Sequence, residues 1–193
     1  MIPTQHLPLT IRDATEADME AVQAIYSFYV TRTSASFEET PPSLEEMRRR
    51  LLKTTQERGL PFLVAESDGE VVGYTYAGPF RFRTAYRYTI EDSIYVAPSV
   101  TRRGVGATLL GALVERCTKL GYRQMIGVIG DSANHGSINL HRRLGFRQEG
   151  VLRGVGLKFG RWVDVVIMHR PLGEANVGLP DSDHPGLPPM PLP

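Results

Sequence analysis

The stretch Ile94-Tyr95-Val96-Ala97-Pro98-Ser99-Val100-Thr101-Arg102-Arg103-Gly104-Val105-Gly106-Ala107-Thr108 carries the strongest chemical signal in the chain. A strand-like run leads into a proline turn, two arginines, a Gly-x-Gly and then a long segment of helical apolar spacing. Glycines let a backbone approach a ligand closely, and the free N–H groups of a helix start form an anion cradle that the helix dipole reinforces. The construction suits a pyrophosphate. It is not a P-loop, because Gly106-Ala107-Thr108 lacks the lysine, and it departs from a dinucleotide fingerprint, because Leu109 replaces the third glycine and residues 121–130 hold no acidic side chain. On Gly-x-Gly alone, an ordinary glycine-rich loop before a capped helix is the better reading.

Other reactive side chains point less far. Cys117 falls between Val114 and Leu120 on an apolar helical face, where a thiol packs rather than attacks. His135 and His141 are six apart with no nearby carboxylate or cysteine pair, so no metal site is supported. Gly130-Asp131-Ser132 with the distant Asp181-x-x-His184 has the order of a GDS-type serine hydrolase, but that motif belongs near a chain start and His184 sits among prolines. Arg81-Phe82-Arg83 and Tyr86-Arg87-Tyr88 offer planar, bidentate donors suited to an anionic group, or else form a solvated basic loop.

The elements that position these groups are short and alternate. Residues 10–12 predict a strand, and Thr15-x-x-Asp18 approximates a capping box ahead of Met19, Val22, Tyr26 and Tyr29 at helical spacing. Ser43-x-x-Glu46 opens a second helix, with Leu44, Met47 and Leu51 on one face and Gly59 as its stop. Residues 61–66 and 71–78 flank Asp68-Gly69, a strong hairpin signal. A strand over 89–96 precedes a third helix from about Gly104, which turns Val105, Leu109, Leu113, Val114, Cys117 and Leu120 inward and stops at Gly121. A strand over 124–129, a short helix over 135–144 and a final strand over 161–169 follow. Hairpins first and strand-helix crossovers later predict an α/β fold, a mixed sheet with helices on its faces.

Composition sets the outer bounds. The 193 residues include 22 basic and 21 acidic side chains, a net charge of +1, which is not the balance of a nucleic-acid binder. No apolar run approaches the 18 or so residues of a membrane span, residues 1–9 lack the apolar core of a secretory signal, and the lone cysteine suits the cytosol. Residues 173–193 hold six of the 14 prolines and no basic residue, and are expected to be a disordered tail on a single domain over 1–172.

Residues 96–107 resemble the acyl-CoA loop of the GNAT superfamily of N-acetyltransferases, whose pattern is Gln/Arg-x-x-Gly-x-Gly/Ala after a strand. Asn134-x-x-Ser137-x-x-Leu140-His141-x-x-Leu144-Gly145-Phe146 resembles the second signature of that superfamily, in the right order and with the right elements between. A closer resemblance, to the phosphinothricin and methionine sulfoximine acetyltransferase branch, rests on Tyr76-Ala77-Gly78-Pro79-Phe80, Thr89-Ile90-Glu91-Asp92-Ser93-Ile94-Tyr95-Val96, Leu140-His141-Arg142-Arg143-Leu144-Gly145-Phe146 and Gly156-Leu157-Lys158-Phe159-Gly160-Arg161-Trp162-Val163-Asp164. It covers residues 9–172. Thr101 stands at the Gln/Arg place, which passes a phosphate contact to Arg102 or Arg103. His141 stands where many superfamily members have tyrosine, and is a trait of the branch.

This resemblance implies a partly splayed mixed sheet, acetyl-CoA as co-substrate, a small-molecule amine of the phosphinothricin, methionine sulfoximine or methionine sulfone type, and a homodimer. Gly104, Val105, Gly106 and Ala107, with Arg102 and Arg103, would hold the pyrophosphate. Backbone groups of Ile94, Tyr95 and Val96 would pair with the pantetheine arm and supply an oxyanion donor. Asn134 would bond that arm, or serve as a plain N-cap. An ammonium must lose a proton before it attacks a thioester, and Glu91 is the candidate base, or else an ion-pair partner of Arg81, Arg83 or Arg87. His141 would protonate the leaving thiolate, or be a satisfied core histidine. Arg81, Phe82, Arg83, Tyr86 and Ser93 join Glu91 on the acceptor side. Two rivals share the fold: a protein or peptide N-terminal acetyltransferase and a noncatalytic acyl-CoA sensor.

Overall fold

In the computed structural model, which describes residues 8–180, seven strands make one open sheet in the order β1-β2-β3-β4-β5-β7-β6. They are β1 Thr10–Asp13, β2 Phe62–Ser67, β3 Glu70–Pro79, β4 Thr89–Val96, β5 Gln124–Gly130, β6 Arg147–Lys158 and β7 Arg161–Pro171. The α-helices among the described residues are α1 Met19–Arg32, α2 Leu44–Leu52, α3 Val105–Lys119 and α4 His135–Arg143. Neighbouring strands are antiparallel except β4 and β5, which run parallel. A parallel pair needs a crossover, and α3 supplies it.

Strand alternation sorts the core onto the two faces of the sheet. Phe62, Val64, Tyr74, Tyr76 and Tyr95 pack with Met19, Val22, Tyr26 and Val30 of α1 and with Met47 and Leu51 of α2. Leu63, Ala77 and Ile90 face the other way, against Leu110, Leu113 and Cys117 of α3 and Ile138 of α4. Cys117 is fully buried, and burial pushes its thiol up to about 12, which removes it as a nucleophile. The Asp68-Gly69 turn has φ of 51° and 82° at its two central residues, the primed geometry that the twist of a hairpin favours.

Three expectations need correction. The chain between α4 and the last strand is itself a strand, β6, and forms a long hairpin with β7. Its Gly150, Gly154 and Gly156 and its two breaks of register erase the period-2 pattern by which strands are read. Leu120, expected inward, is exposed at the end of α3. The segment after Leu172 begins in turns rather than disorder: Glu174 pairs with Arg123 at 3.0 Å and the Ala175 N–H donates to the Leu172 carbonyl. The disorder expected of residues 181–193, with Asp181 and His184, lies outside the described residues. No described helix is long and apolar enough to cross a membrane.

The start of α1, which aims Tyr26 and Tyr29, hangs on Asp18. Its carboxylate accepts the Thr15 N–H at 2.7 Å and two Arg12 N–H groups at 2.7 Å each. The Arg12 hydrogen bonds, against the opposing effect of burial, hold its pKa down at about 2. A carboxylate with a lowered pKa stabilises the fold above its ordinary value of 3.8, and that contribution fades as pH falls toward about 2. Asp18→Asn is expected to cost about 1–2 kcal/mol at pH 7, since Arg12 is partly solvated. Thermal unfolding should show the gap at pH 7 and its closure at the acid end.

Candidate active site

The site begins where two central strands part. β4 and β5 pair only from Thr89 with Gln124 to Asp92 with Gly127, after which β4 runs on to Val96 and β5 to Gly130. The Ala97 N–H donates to the Val72 carbonyl at 2.9 Å and the Phe80 N–H to the Thr89 carbonyl at 3.5 Å, so the odd-numbered residues of β4 spend their backbone groups on β3. Ile94 and Val96 therefore present theirs to the gap. One of these groups is engaged: the Tyr29 hydroxyl donates to the Val96 carbonyl at 2.7 Å.

A cleft of about 1150 Å³ fills the gap, more than the range of about 300–1,000 Å³ usual for a drug-sized ligand. Ser93, Ile94, Tyr95, Val96, Arg102, Gly104, Gly106, Ala107 and Asn134 line it, as the sequence leads one to expect; Arg103 and Val105 do not. Val105 instead buries its side chain beside Leu109. Gly104 has φ of 90°, which a side chain would strain, and precedes α3 without a side-chain cap. The first intrahelical bond runs from the Thr108 N–H to the Gly104 carbonyl, so the N–H groups of Val105, Gly106 and Ala107 remain open to an anion. Arg102 is the cation on this loop that lines the cleft, and Arg143 of α4, not foreseen from sequence, lines it as well.

Alternation along β4 sends Glu91 and Asp92 to opposite faces. Asp92 meets His141, 3.0 Å from its Nε2, with both side chains almost fully buried. The other ring nitrogen, Nδ1, lies 2.8 Å from the Ser137 carbonyl, which can only accept. Burial alone would lower the histidine pKa, but the charge and hydrogen bond of Asp92 and the Ser137 carbonyl outweigh it and raise the value. Both ring nitrogens thus face acceptors. The expected proton donor to a thiolate is engaged in tying α4 to β4 at the base of the gap. Asn134 likewise serves as an N-cap, accepting the Ser137 N–H at 3.2 Å, while its side chain borders the cleft.

Glu91 sits half-buried on the α1 side, lining the cleft with Tyr26 and Tyr29. No salt bridge engages it among the described residues, contrary to its reading as an ion-pair partner. Burial first, then the charge of Asp92, pushes its pKa up to about 7, against the lowering pull of Arg81. A carboxylate poised at neutrality is a competent proton acceptor.

The arginine loop lies outside the lining of this end. Arg81, Phe82, Arg83 and Tyr86 stand on the exposed β3–β4 connection, where Arg81 stacks on Phe80 at 5.1 Å and Tyr86 packs edge-on to Phe80, and none of the four lines the cleft. The wall is built instead by Ala35, Ser36, Phe37 and Glu38, between α1 and α2. Ser36 Oγ lies 2.9 Å from the Tyr26 hydroxyl, which donates to Glu38 at 3.0 Å. These residues carry no periodicity and no spacing to Glu91, so nothing in the sequence read by itself links them to the site.

Known proteins agree with this geometry. The acetyltransferase (GNAT) domain family matches residues 11–167. The chain is 49% identical over 172 residues to a phosphinothricin N-acetyltransferase of Alcaligenes faecalis, covering 89% of this chain and 87% of that protein. It is 42% identical over 160 residues to an L-methionine sulfoximine/L-methionine sulfone acetyltransferase of Pseudomonas aeruginosa, covering 82% and 92%. The crystal structure of a phosphinothricin acetyltransferase from Sinorhizobium meliloti in complex with AcCoA superposes with a TM-score of 0.88 at 47% identity, over 91% of this chain and 95% of that one. With a parted central strand pair, an open helix N-terminus beside it and a family match across nearly the whole described fold, this chain belongs to the GNAT acetyltransferases.

Proposed function

We propose that the chain moves the acetyl group of acetyl-CoA to the primary amine of a small amino-acid analogue of the phosphinothricin, methionine sulfoximine or methionine sulfone type. The observation that carries the reading is the unpaired Glu91 carboxyl, poised at about 7, facing the same cleft as the open N-terminus of α3. The residues present fit the co-substrate: the free N–H groups at 105–107 and Arg102 suit a pyrophosphate, and the unspent backbone of Ile94 and Val96 suits the amides of a pantetheine arm. When bound, acetyl-CoA supplies an acyl group activated as a thioester. Glu91 takes the proton from the acceptor ammonium, and a backbone N–H within 94–96 faces the charge that develops on the carbonyl oxygen. His141 and Asp92 hold the base of the gap, and Asn134 sets the start of α4. On the exposed loop, Arg81 is the cation whose charge reaches Glu91, which supports a role for it, with Arg83, Phe82 and Tyr86, at the acceptor entrance.

The β6–β7 hairpin supports a homodimer. Leu152, Val155, Leu157, Phe159 and Trp162 are all more than half exposed at this edge of the sheet, an apolar area that a second copy would cover. The buried free thiol of Cys117 suits the reducing cytosol, where we place the enzyme.

An acceptor panel read by free CoA release tests the activity. Phosphinothricin, methionine sulfoximine and methionine sulfone should be acetylated at least about 10-fold better, in kcat/KM, than methionine, since the oxidised group adds one or more hydrogen bonds. Faster acetylation of peptide N-termini would replace this reading with the protein-acetylating one, and no CoA release with any acceptor would leave a noncatalytic sensor. Glu91 acts as a carboxylate, so kcat/KM should climb as pH rises through about 7 and then level. Glu91→Gln should lose about 10²–10⁴-fold at neutral pH and flatten that limb, with the deficit shrinking as the amine deprotonates unaided. For the dimer, Leu157→Glu with Trp162→Glu should shift light-scattering mass from two chains to one while leaving the far-ultraviolet dichroism unchanged.

A further inference from the structure

Lys158 is a charged side chain only 3% exposed, on β6 rather than at the cleft, and the chemistry above makes no use of it. Its Nζ donates to the Ser36 carbonyl at 2.5 Å, across 122 residues of sequence. Directly across the hairpin from Lys158, Arg161 reaches the same loop: one guanidinium nitrogen donates to Ser34 Oγ at 2.9 Å and to the Asp131 carboxylate. Gly156, the inward residue before Lys158, leaves room for the ring of Phe37, which a methyl there would overlap. Three neighbouring positions of one hairpin thus meet three consecutive parts of one loop. Tyr26 and Arg50 hold the far end of that loop through Glu38, at 3.0 and 2.8 Å.

We propose that the β6–β7 hairpin, through Gly156, Lys158 and Arg161, seats loop 34–38 and so sets the acceptor wall of the cleft, which makes Lys158 a positioning residue for acceptor binding. The proposal rests on the reading of the Glu91 end as the acceptor side. An ammonium suits the task because it donates to a backbone carbonyl that has no strand or helix partner; an apolar side chain of equal length would leave that carbonyl buried and unsatisfied. Burial lowers the Lys158 pKa, with Glu39 and Glu38 opposing, so the position carries a cost that packing alone would not require. The loop touches the acceptor end and not the pyrophosphate end, so the two substrates should respond differently to its release.

The test compares Lys158→Met, Gly156→Ala and the double variant Gly156→Ala/Phe37→Leu with wild type, using methionine sulfone and acetyl-CoA, CoA release as readout, and hydrogen exchange over residues 34–38. Lys158→Met and Gly156→Ala should each raise the KM for methionine sulfone by about 10-fold or more, leave the KM for acetyl-CoA within about 2-fold, and speed exchange in the loop. The double variant, which gives the ring's space back, should recover most of the loss that Gly156→Ala causes. An unchanged acceptor KM with unchanged exchange overturns the proposal, and so does an equal rise of both KM values, which would mark a general structural effect. If Lys158→Met fails to fold, Gly156→Ala and its rescue decide. If wild type acetylates no acceptor, the proposed function fails by itself, and exchange over 34–38 still decides the seating of the loop.

Discussion

Backbone N–H and C=O groups removed from water must find partners, and past Asp92 and Gly127 the two central strands stop supplying them to each other. A sheet cannot part in its middle without help. Below the gap, His141 of α4 is pinned to Asp92; above it, the Tyr29 hydroxyl takes up the Val96 carbonyl. The helices on the two faces thus do more than cover the core: each sends one side chain to hold the gap open. What remains unpaired between these anchors opens into the cleft.

The same alternation that packs the core divides the chemistry. Along β4, odd positions look toward α1 and α2, even positions toward α3 and α4, so the adjacent pair Glu91-Asp92 delivers a titratable carboxylate to one face and a charge-paired one to the other. Asp92, held beside the His141 ring, still raises the Glu91 pKa. Burial contributes more than that charge.

Much of this was legible in the sequence. The Asp68-Gly69 hairpin, the α3 face from Val105 to Cys117 and the glycine cradle all follow from local rules: turn residues with positive φ, a 3.6-residue period, and N–H groups that nothing caps. The place of Glu91 on a strand next to the cradle was legible, while its reading as a base came from the family resemblance. The parts that were not legible are non-local. β6 breaks its own period with glycines, one of which, Gly156, is there to make space for Phe37, a residue more than a hundred positions away. The wall at 35–38 has no local signature, and the arginine-rich loop, whose composition invites a substrate-binding role, stacks on its own aromatic neighbours outside the cleft lining. Composition spoke for the surface and periodicity for the core; neither speaks for a loop held by a distant hairpin.

The lone parallel pairing has a consequence for how the chain assembles. Strands β1 to β4 are antiparallel and lie within residues 10–96, and β5 to β7 within 124–171. Joining β4 to β5 must wait for the α3 crossover, and the contacts of Lys158 and Arg161 with the α1–α2 loop close more than 120 residues of chain. Closure entropy grows with such spans, and contacts of high sequence separation are the slow ones to form. The cleft lies where these two groups of strands part, and the contacts between the β6–β7 hairpin and loop 34–38, which span the most chain, are among the slow ones to close.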